Sequence, residues 1–247
     1  LMSNSNQKFG TWCSLNSANA VDAICSTDLD FIIIDEEHSS ASFESMENMV
    51  RACEAKGKQA IIRSSNAEKQ HILRILETGS NAIMIPHIST ADDARKVIDS
   101  VKYPPMGNRG LSPYTRQHQF TDNDLTGSLS KANTDQYIGL LVEGEEGIKN
   151  ISEIAQVEGV DLIYIGLFDL AKSIGMVDNL TDKKIISLLQ ETRDIIHSNN
   201  VHAGSMAKDI EYGRILVDLG FDFIAFHNDA AALKAYFQNS LIKIKEV

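Results

Sequence analysis

Cysteine, proline, tryptophan and basic charge are all scarce in this chain, and each shortage closes off a class of protein. The three cysteines, Cys13, Cys25 and Cys53, stand far apart and form no C-x-x-C pair. Neither a thiolate zinc site nor a disulfide framework is indicated, and reduced thiols in a cytoplasmic protein are expected. Lysine and arginine number 23 against 34 acidic residues, a net charge of −11. That argues against nucleic-acid binding, which needs a basic face to neutralise phosphates. No apolar run approaches the ~20 residues that span a bilayer, so no membrane partner is expected. Residues 1–8 are polar and lack a charged-then-apolar signal. They are expected to be a disordered or tag-derived end, with residues 9–247 forming one domain.

What is present fits a single α/β barrel. The 247 residues, 43% hydrophobic and 23% charged, match the usual barrel size of about 250 residues. A weak repeat is the main fold signal. Runs beginning at Asp28, Gly79, Gly159 and Gly220 share a turn residue, then Asp or Asn, then a short apolar stretch rich in Ile and Phe. Such stretches read as buried parallel strands, and a leading Gly suits the end of a preceding helix. With weaker candidates between them, strands are predicted at 9–15, 30–35, 59–63, 81–86, 137–143, 161–166, 201–205 and 221–226. Helical periodicity fills 42–56, 68–78, 91–101, 145–156, 181–199, 208–219 and 229–245. Eight alternating strands and helices predict a closed (β/α)₈ TIM barrel, and no G-x-G-x-x-G supports an open dinucleotide-binding sheet. One connection, 102–136, is too long for a plain loop, and Pro104 and Pro105 bar a continued helix.

In such barrels the chemistry sits at the carboxyl ends of the strands. There the chain places Asp35, Glu36, Glu37 and His38, then Arg63, Pro86-His87, Glu143, and Gly166 to Asp169. Glu143 and Asp169 end neighbouring strands, so their carboxylates can meet. Two carboxylates with open positions suit Mg²⁺ or Mn²⁺, with Co²⁺ or Zn²⁺ as alternatives. The plainer reading makes them surface acids, or Asp169 a helix cap. Arg63 would be a buried guanidinium needing an anion, either a substrate oxygen or, more plainly, Glu37 or Glu143. His38, beside these acids, is a candidate general base. His71, His118, His197 and His202 fall in helices, the long loop or mid-strand and read as structural.

At these residues the sequence resembles the HpcH/HpaI family of class II pyruvate aldolases. The likeness is carried by Ile34-Asp-Glu-Glu-His38, Ile62-Arg63, Ile85-Pro86, Tyr103-Pro-Pro-Met-Gly-Asn-Arg-Gly110, Val142-Glu143 and Ile165-Gly-Leu-Phe-Asp-Leu170, in that order. The resemblance implies metal ligation by Glu143 and Asp169, and acid/base work by His38 backed by Glu77. It implies an enolate oxygen held by Arg63, and a pyruvate carboxylate held near Gly166, Phe168 and Asp169 through backbone amides. Asp35 and Glu37 would support these from behind. It also implies a homohexamer in which the last helix exchanges between subunits. Departures from the family pattern are Glu36 for Gly, Leu141 for a substrate-binding Gln, Leu167-Phe168 for Pro-Ala or Pro-Asn, Ala171 for Ser, Glu77 for Asp, and His227 for a small residue. They leave the enolate chemistry and alter the place where the aldehyde would lie, where Glu36 and Phe168 add charge and bulk.

The expected reaction is therefore cleavage or formation of a 4-hydroxy-2-oxo acid from pyruvate and an aldehyde, with the cation as Lewis acid. A condensing lyase adding an enolate to another 2-oxo acid, citrate-synthase-like, is the second reading. A non-catalytic barrel is the third. A phosphosugar isomerase is disfavoured, because the stretches at Ser205 and His227 lack a glycine-rich phosphate nest.

Overall fold

The computed structural model describes residues 7–246. Eight parallel strands close into a barrel in chain order: β1 (Lys8–Cys13), β2 (Phe31–Asp35), β3 (Gln59–Arg63), β4 (Ala82–Ile85), β5 (Tyr137–Val142), β6 (Leu162–Ile165), β7 (His202–Ala207) and β8 (Phe223–Asn228). Around them lie α1 (Ala18–Cys25), α2 (Phe43–Ala55), α3 (Lys69–Glu77), α4 (Ala91–Val101), α5 (Leu125–Asp135), α6 (Glu145–Lys149), α7 (Ile151–Ala155), α8 (Leu167–Ser173), α9 (Lys183–Ser198), α10 (Ile210–Asp218) and α11 (Asp229–Lys245). The TIM-barrel fold and the predicted strand set are both present, with ends shifted by a residue or two.

The barrel has two apolar layers because strand side chains alternate. Phe31, Ile33, Ile61, Met84, Leu141, Leu162, Tyr164 and Phe223 fill the interior. Ile32, Ile34, Ile62, Ile83, Ile85 and Ile163 face the helices instead. Both faces are buried, which is why these strands read as unbroken apolar runs. The even-strand repeat also has a cause. Gly79, Gly159 and Gly220 sit at φ +89°, +92° and +78°, the left-handed turn that ends a helix before β4, β6 and β8. Capping boxes at Ser42/Ser45 and Thr90/Asp93 open α2 and α4 as their sequences predict.

Several expectations shift. The helix predicted over 181–199 begins at Lys183 and is capped by Asp182, whose side chain accepts from the Lys184 N–H. The predicted helix at 145–156 breaks at Asn150 into α6 and α7. The long connection holds a 3₁₀ turn at Arg116–His118 and then α5. At the amino end, residues 1–6 lie outside the described residues. Lys8 is already in β1, and the Gln7 amide donates to the Val217 and Phe221 carbonyls at 3.1 and 3.0 Å. The domain thus starts before residue 9. Among the described residues, no helix is long and apolar enough to cross a membrane.

Candidate active site

The alternation that fills the interior also decides which polar residues point into it. Counting by twos along each strand, Phe31 and Ile33 lead to Asp35, Ile61 leads to Arg63, Leu141 leads to Glu143, and Tyr164 leads to Gly166. Each inward column therefore ends on a site residue at the carboxyl mouth. There a cavity of about 340 Å³ opens, lined among others by Trp12, Asp35, His38, Arg63, Glu143, Gly166, Phe168 and Asp169. A larger groove of about 1280 Å³ runs outside the barrel along α4 and beside α7, away from the strand ends. A concave mouth with converging polar groups is the better site.

Arg63 is buried at 5% exposure. Register pairs it with Asp35 across β2 and β3, and its guanidinium lies 3.3 Å from the Asp35 carboxylate and 2.5 Å from Glu37. It also lies 5.6 Å from the Trp12 ring. The plain reading of Arg63 as an internal ion pair is thus partly realised. Its Nε, however, is buried with no hydrogen-bond partner among the described residues. A buried unpaired donor is costly unless an acceptor arrives. Asp35 also fixes the turn after β2, its Oδ1 accepting from the Glu37 and His38 N–H groups at 3.1 and 3.2 Å. That hold presents His38, itself exposed, to the cavity.

Glu143 follows β5. Its Oε1 accepts from the His87 N–H at 3.2 Å and lies 3.0 Å from His87 Nδ1, while His87 Nε2 lies 3.3 Å from Glu37. Burial pushes the Glu143 carboxyl up from its ordinary value. His87 and Arg63 pull it back, and the nearby Asp169 charge pushes it the same way as burial. Gly166 makes room for this carboxylate, because a Cβ there would sit 2.9 Å from Glu143 Cβ and 3.1 Å from its Oε2. Asp169 lies in the first turn of α8, 57% exposed, with Lys172 3.7 Å away. Among the described residues, no group of three or more His, Cys, Asp or Glu side chains is placed to hold a metal. The Glu143–Asp169 pair is the oxygen donor set that could.

Two residues expected at the site lie outside the cavity lining. Glu77 ends α3, which runs back from the mouth, and it does not line the cavity. Its charge bears on Tyr103 and Arg109. Glu36 turns away from the cavity, accepting from the Ser65 N–H at 2.7 Å and lying 2.8 Å from His71 Nε2. It adds no charge where an aldehyde would lie. His227 at the end of β8 is exposed and also absent from the lining. The sequence reading missed Trp12, Tyr164, Ser14, Met206 and Asn228, all of which line the cavity. Inward parity was the signal that could have found most of them.

The family model for HpcH/HpaI aldolase/citrate lyase matches residues 8–232. The chain belongs to this family. As a member, it is an enzyme of the aldolase and lyase class. A 4-hydroxy-2-oxo-heptane-1,7-dioate aldolase of Shigella flexneri is 27% identical over 94% of this chain and 90% of the relative. A solved HpcH/HpaI aldolase/citrate lyase family protein from Burkholderia cenocepacia J2315 superposes with TM-score 0.91 at 24% identity, covering 98% and 96% of the two chains. The protein CitE from Mycobacterium tuberculosis, solved with magnesium and pyruvate, superposes at TM-score 0.60 and 14% identity over 93% and 88%. These structural likenesses show the family barrel.

Proposed function

We propose that this family member is a metal-dependent class II aldolase that makes or breaks the C3–C4 bond of a 4-hydroxy-2-oxo acid, with pyruvate as one partner. One observation carries the reading: His38, Arg63, Glu143 and Asp169 line a single cavity at the barrel mouth. Glu143 and Asp169 would hold a divalent cation. Two carboxylates, with no third ligand grouped with them among the described residues, suit Mg²⁺ or Mn²⁺, which keep positions for water and substrate oxygens, better than Co²⁺ or Zn²⁺. The neighbour solved with magnesium and pyruvate supports that choice. When bound, the cation supplies Lewis-acid polarisation of the 2-oxo group.

The remaining work falls to the chain. Arg63, anchored by Asp35 and Glu37, offers its unpaired Nε to the oxygen on which negative charge develops. Backbone N–H groups at the start of α8, near Phe168 and Asp169, have no capping side chain and can take the pyruvate carboxylate. His38 moves the proton of the C4 hydroxyl, directly or through a water.

The test needs no knowledge of the aldehyde. With Mg²⁺ or Mn²⁺ present, the enzyme should exchange the methyl protons of pyruvate with deuterium from solvent, followed by NMR. Arg63→Ala should slow exchange by about 10²–10³-fold, the usual cost of one oxyanion donor. Full exchange in Arg63→Ala, or no exchange with any divalent metal, overturns the proposal.

The same reading extends to assembly. We infer that the apolar side chains left exposed along α11 are covered by a second copy, in a homohexamer whose last helix exchanges between subunits.

A further inference from the structure

We propose that the acceptor joined to pyruvate is a short, uncharged aldehyde, selected by a charge-free half of the cavity in which Met206 and Phe168 set the size. The inference rests on the aldolase reading above.

The cavity divides by strand. Its charged groups stand on or just after β2, β3 and β5 and on α8: Asp35, His38, Arg63, Glu143 and Asp169. The other half is built on β1, β7 and β8, with the inward tyrosine of β6. It presents Trp12, Ser14, Tyr164, Met206 and Asn228, none of them charged. With pyruvate held by the charged residues as proposed above, an acceptor that meets its methyl carbon would extend into this second half.

The polar groups of the neutral half are already matched to one another. Trp12 Nε1 donates to the Tyr164 hydroxyl at 3.2 Å. Asn228 Nδ2 donates to Ser14 Oγ at 3.0 Å, and Asn228 Oδ1 accepts from the Ala230 N–H at 3.1 Å, capping α11. The donors left over among the described residues, the Tyr164 O–H and the second Asn228 side-chain N–H, are neutral and suit a carbonyl or hydroxyl oxygen. Behind Ser14 lies buried Asp229, whose carboxylate accepts the Ser14 and Leu15 N–H groups at 2.9 and 3.1 Å and so brings negative charge to this side. The cation that lines the cavity, Arg63, is held by Asp35 and Glu37 on the far side. Lys208, beyond β7, is turned to Asp209 at 2.8 Å. A carboxylated acceptor would lose its water here and meet no counter-charge among the residues that line this half.

Size follows from the walls. Pyruvate and acceptor must share about 340 Å³. Met206 closes the neutral half from β7, and Phe168, 47% exposed, forms a lip at the mouth. In the joining step one proton leaves the pyruvate methyl group and C3 bonds to the aldehyde carbon. The carbonyl π pair moves to oxygen, which gains one proton to become the C4 hydroxyl. There is no net oxidation.

The test compares acceptors at fixed pyruvate with the Mg²⁺-loaded enzyme. Propanal and glycolaldehyde are set against glyoxylate, succinate semialdehyde and oxaloacetate. Neutral acceptors should be favoured by about 100-fold in kcat/KM, the order at which pockets discriminate. Met206→Arg should lower KM for succinate semialdehyde while raising it for propanal, and Phe168→Ala should admit a branched aldehyde that the parent rejects. A parent enzyme that prefers a carboxylated acceptor overturns the inference. Proton exchange of pyruvate, measured without any acceptor, separates the two levels. Exchange with an anionic preference defeats this inference alone, and loss of exchange defeats the aldolase reading and takes the inference with it.

Discussion

Gly166 is small because Glu143 occupies the space a side chain would need. A methyl group at 2.9 Å from Glu143 Cβ and 3.1 Å from Oε2 cannot be absorbed by a distant rotor, since the nearer atom is next to the backbone. The Glu143 carboxylate would have to leave its place between the His87 N–H and the mouth. Gly166→Ala is therefore expected to keep the barrel folded, with unchanged far-UV circular dichroism, and to reduce pyruvate proton exchange by about 100-fold through misplacement of the Glu143 carboxylate. The metal concentration needed for half-maximal exchange should rise as well. Retention of both values in the variant would show that Glu143 does not hold the cation. Asp35 has a positioning role. Its Oδ1 is taken by two N–H groups and the Arg63 guanidinium, so it builds the platform for His38 and Arg63.

The element that departs most from expectation, the connection from β4's helix to β5, is organised by one buried histidine. His118, 3% exposed, ties the 3₁₀ turn to both its flanks, with Nε2 2.8 Å from the Tyr103 hydroxyl and Nδ1 2.7 Å from Ser128 Oγ on α5. Burial, and then the Arg109 charge, lower its pKa from the ordinary 6.5. A histidine depressed in the fold stabilises it above the unfolded value, and that contribution is lost as pH falls below 6.5 toward the folded value. Thermal unfolding should show Tm dropping between pH 7.5 and 5.5, and His118→Gln should flatten that slope. An identical slope in the variant would contradict the assignment. This segment was hard to read because its order comes from side-chain pairings distant in sequence, and α5 buries no residue that would give a periodic signal. β2, β4, β6 and β8 were legible for the opposite reason, being buried on both faces and preceded by turn residues. His38, Arg63, Glu143 and Asp169 were legible as polar residues ending or following apolar strands, and they do share one cavity. The role of Glu77 came from the resemblance alone, and the direction of α3 was not part of that reading. The nine residues of α3 rise about 13 Å away from the mouth. Trp12 and Tyr164 were passed over because inward aromatics in apolar strands look like ordinary core, and only closure of the barrel puts them under a cavity.

Across the whole molecule, α11 is the part that a single chain leaves unfinished. Its first turn is anchored: Asn228 caps it and Asp229 is buried against Ser14 and Leu15. Beyond that, Leu233, Tyr236, Phe237, Leu241, Ile242 and Ile244 are all exposed, with Tyr236 at 70% and Ile244 at 72%. Scattered apolar side chains on a surface mean little, but six on one helix amount to a patch that soluble monomers rarely show. In the hexamer proposed above, a neighbouring copy would cover this patch, at about 25 cal/mol for each Å² removed from water. The parent protein is accordingly expected to elute as a multimer, with its mass fixed by light scattering. Phe237→Glu, which places a charge in the middle of the patch, should shift that mass toward a single chain. Because Asn228 both caps α11 and lines the neutral half of the cavity, the dissociated variant should also bind its aldehyde less tightly, seen as a raised acceptor KM. A parent protein that already travels as one chain would remove the assembly from the account and leave the barrel, the cation pair and Arg63 where they stand.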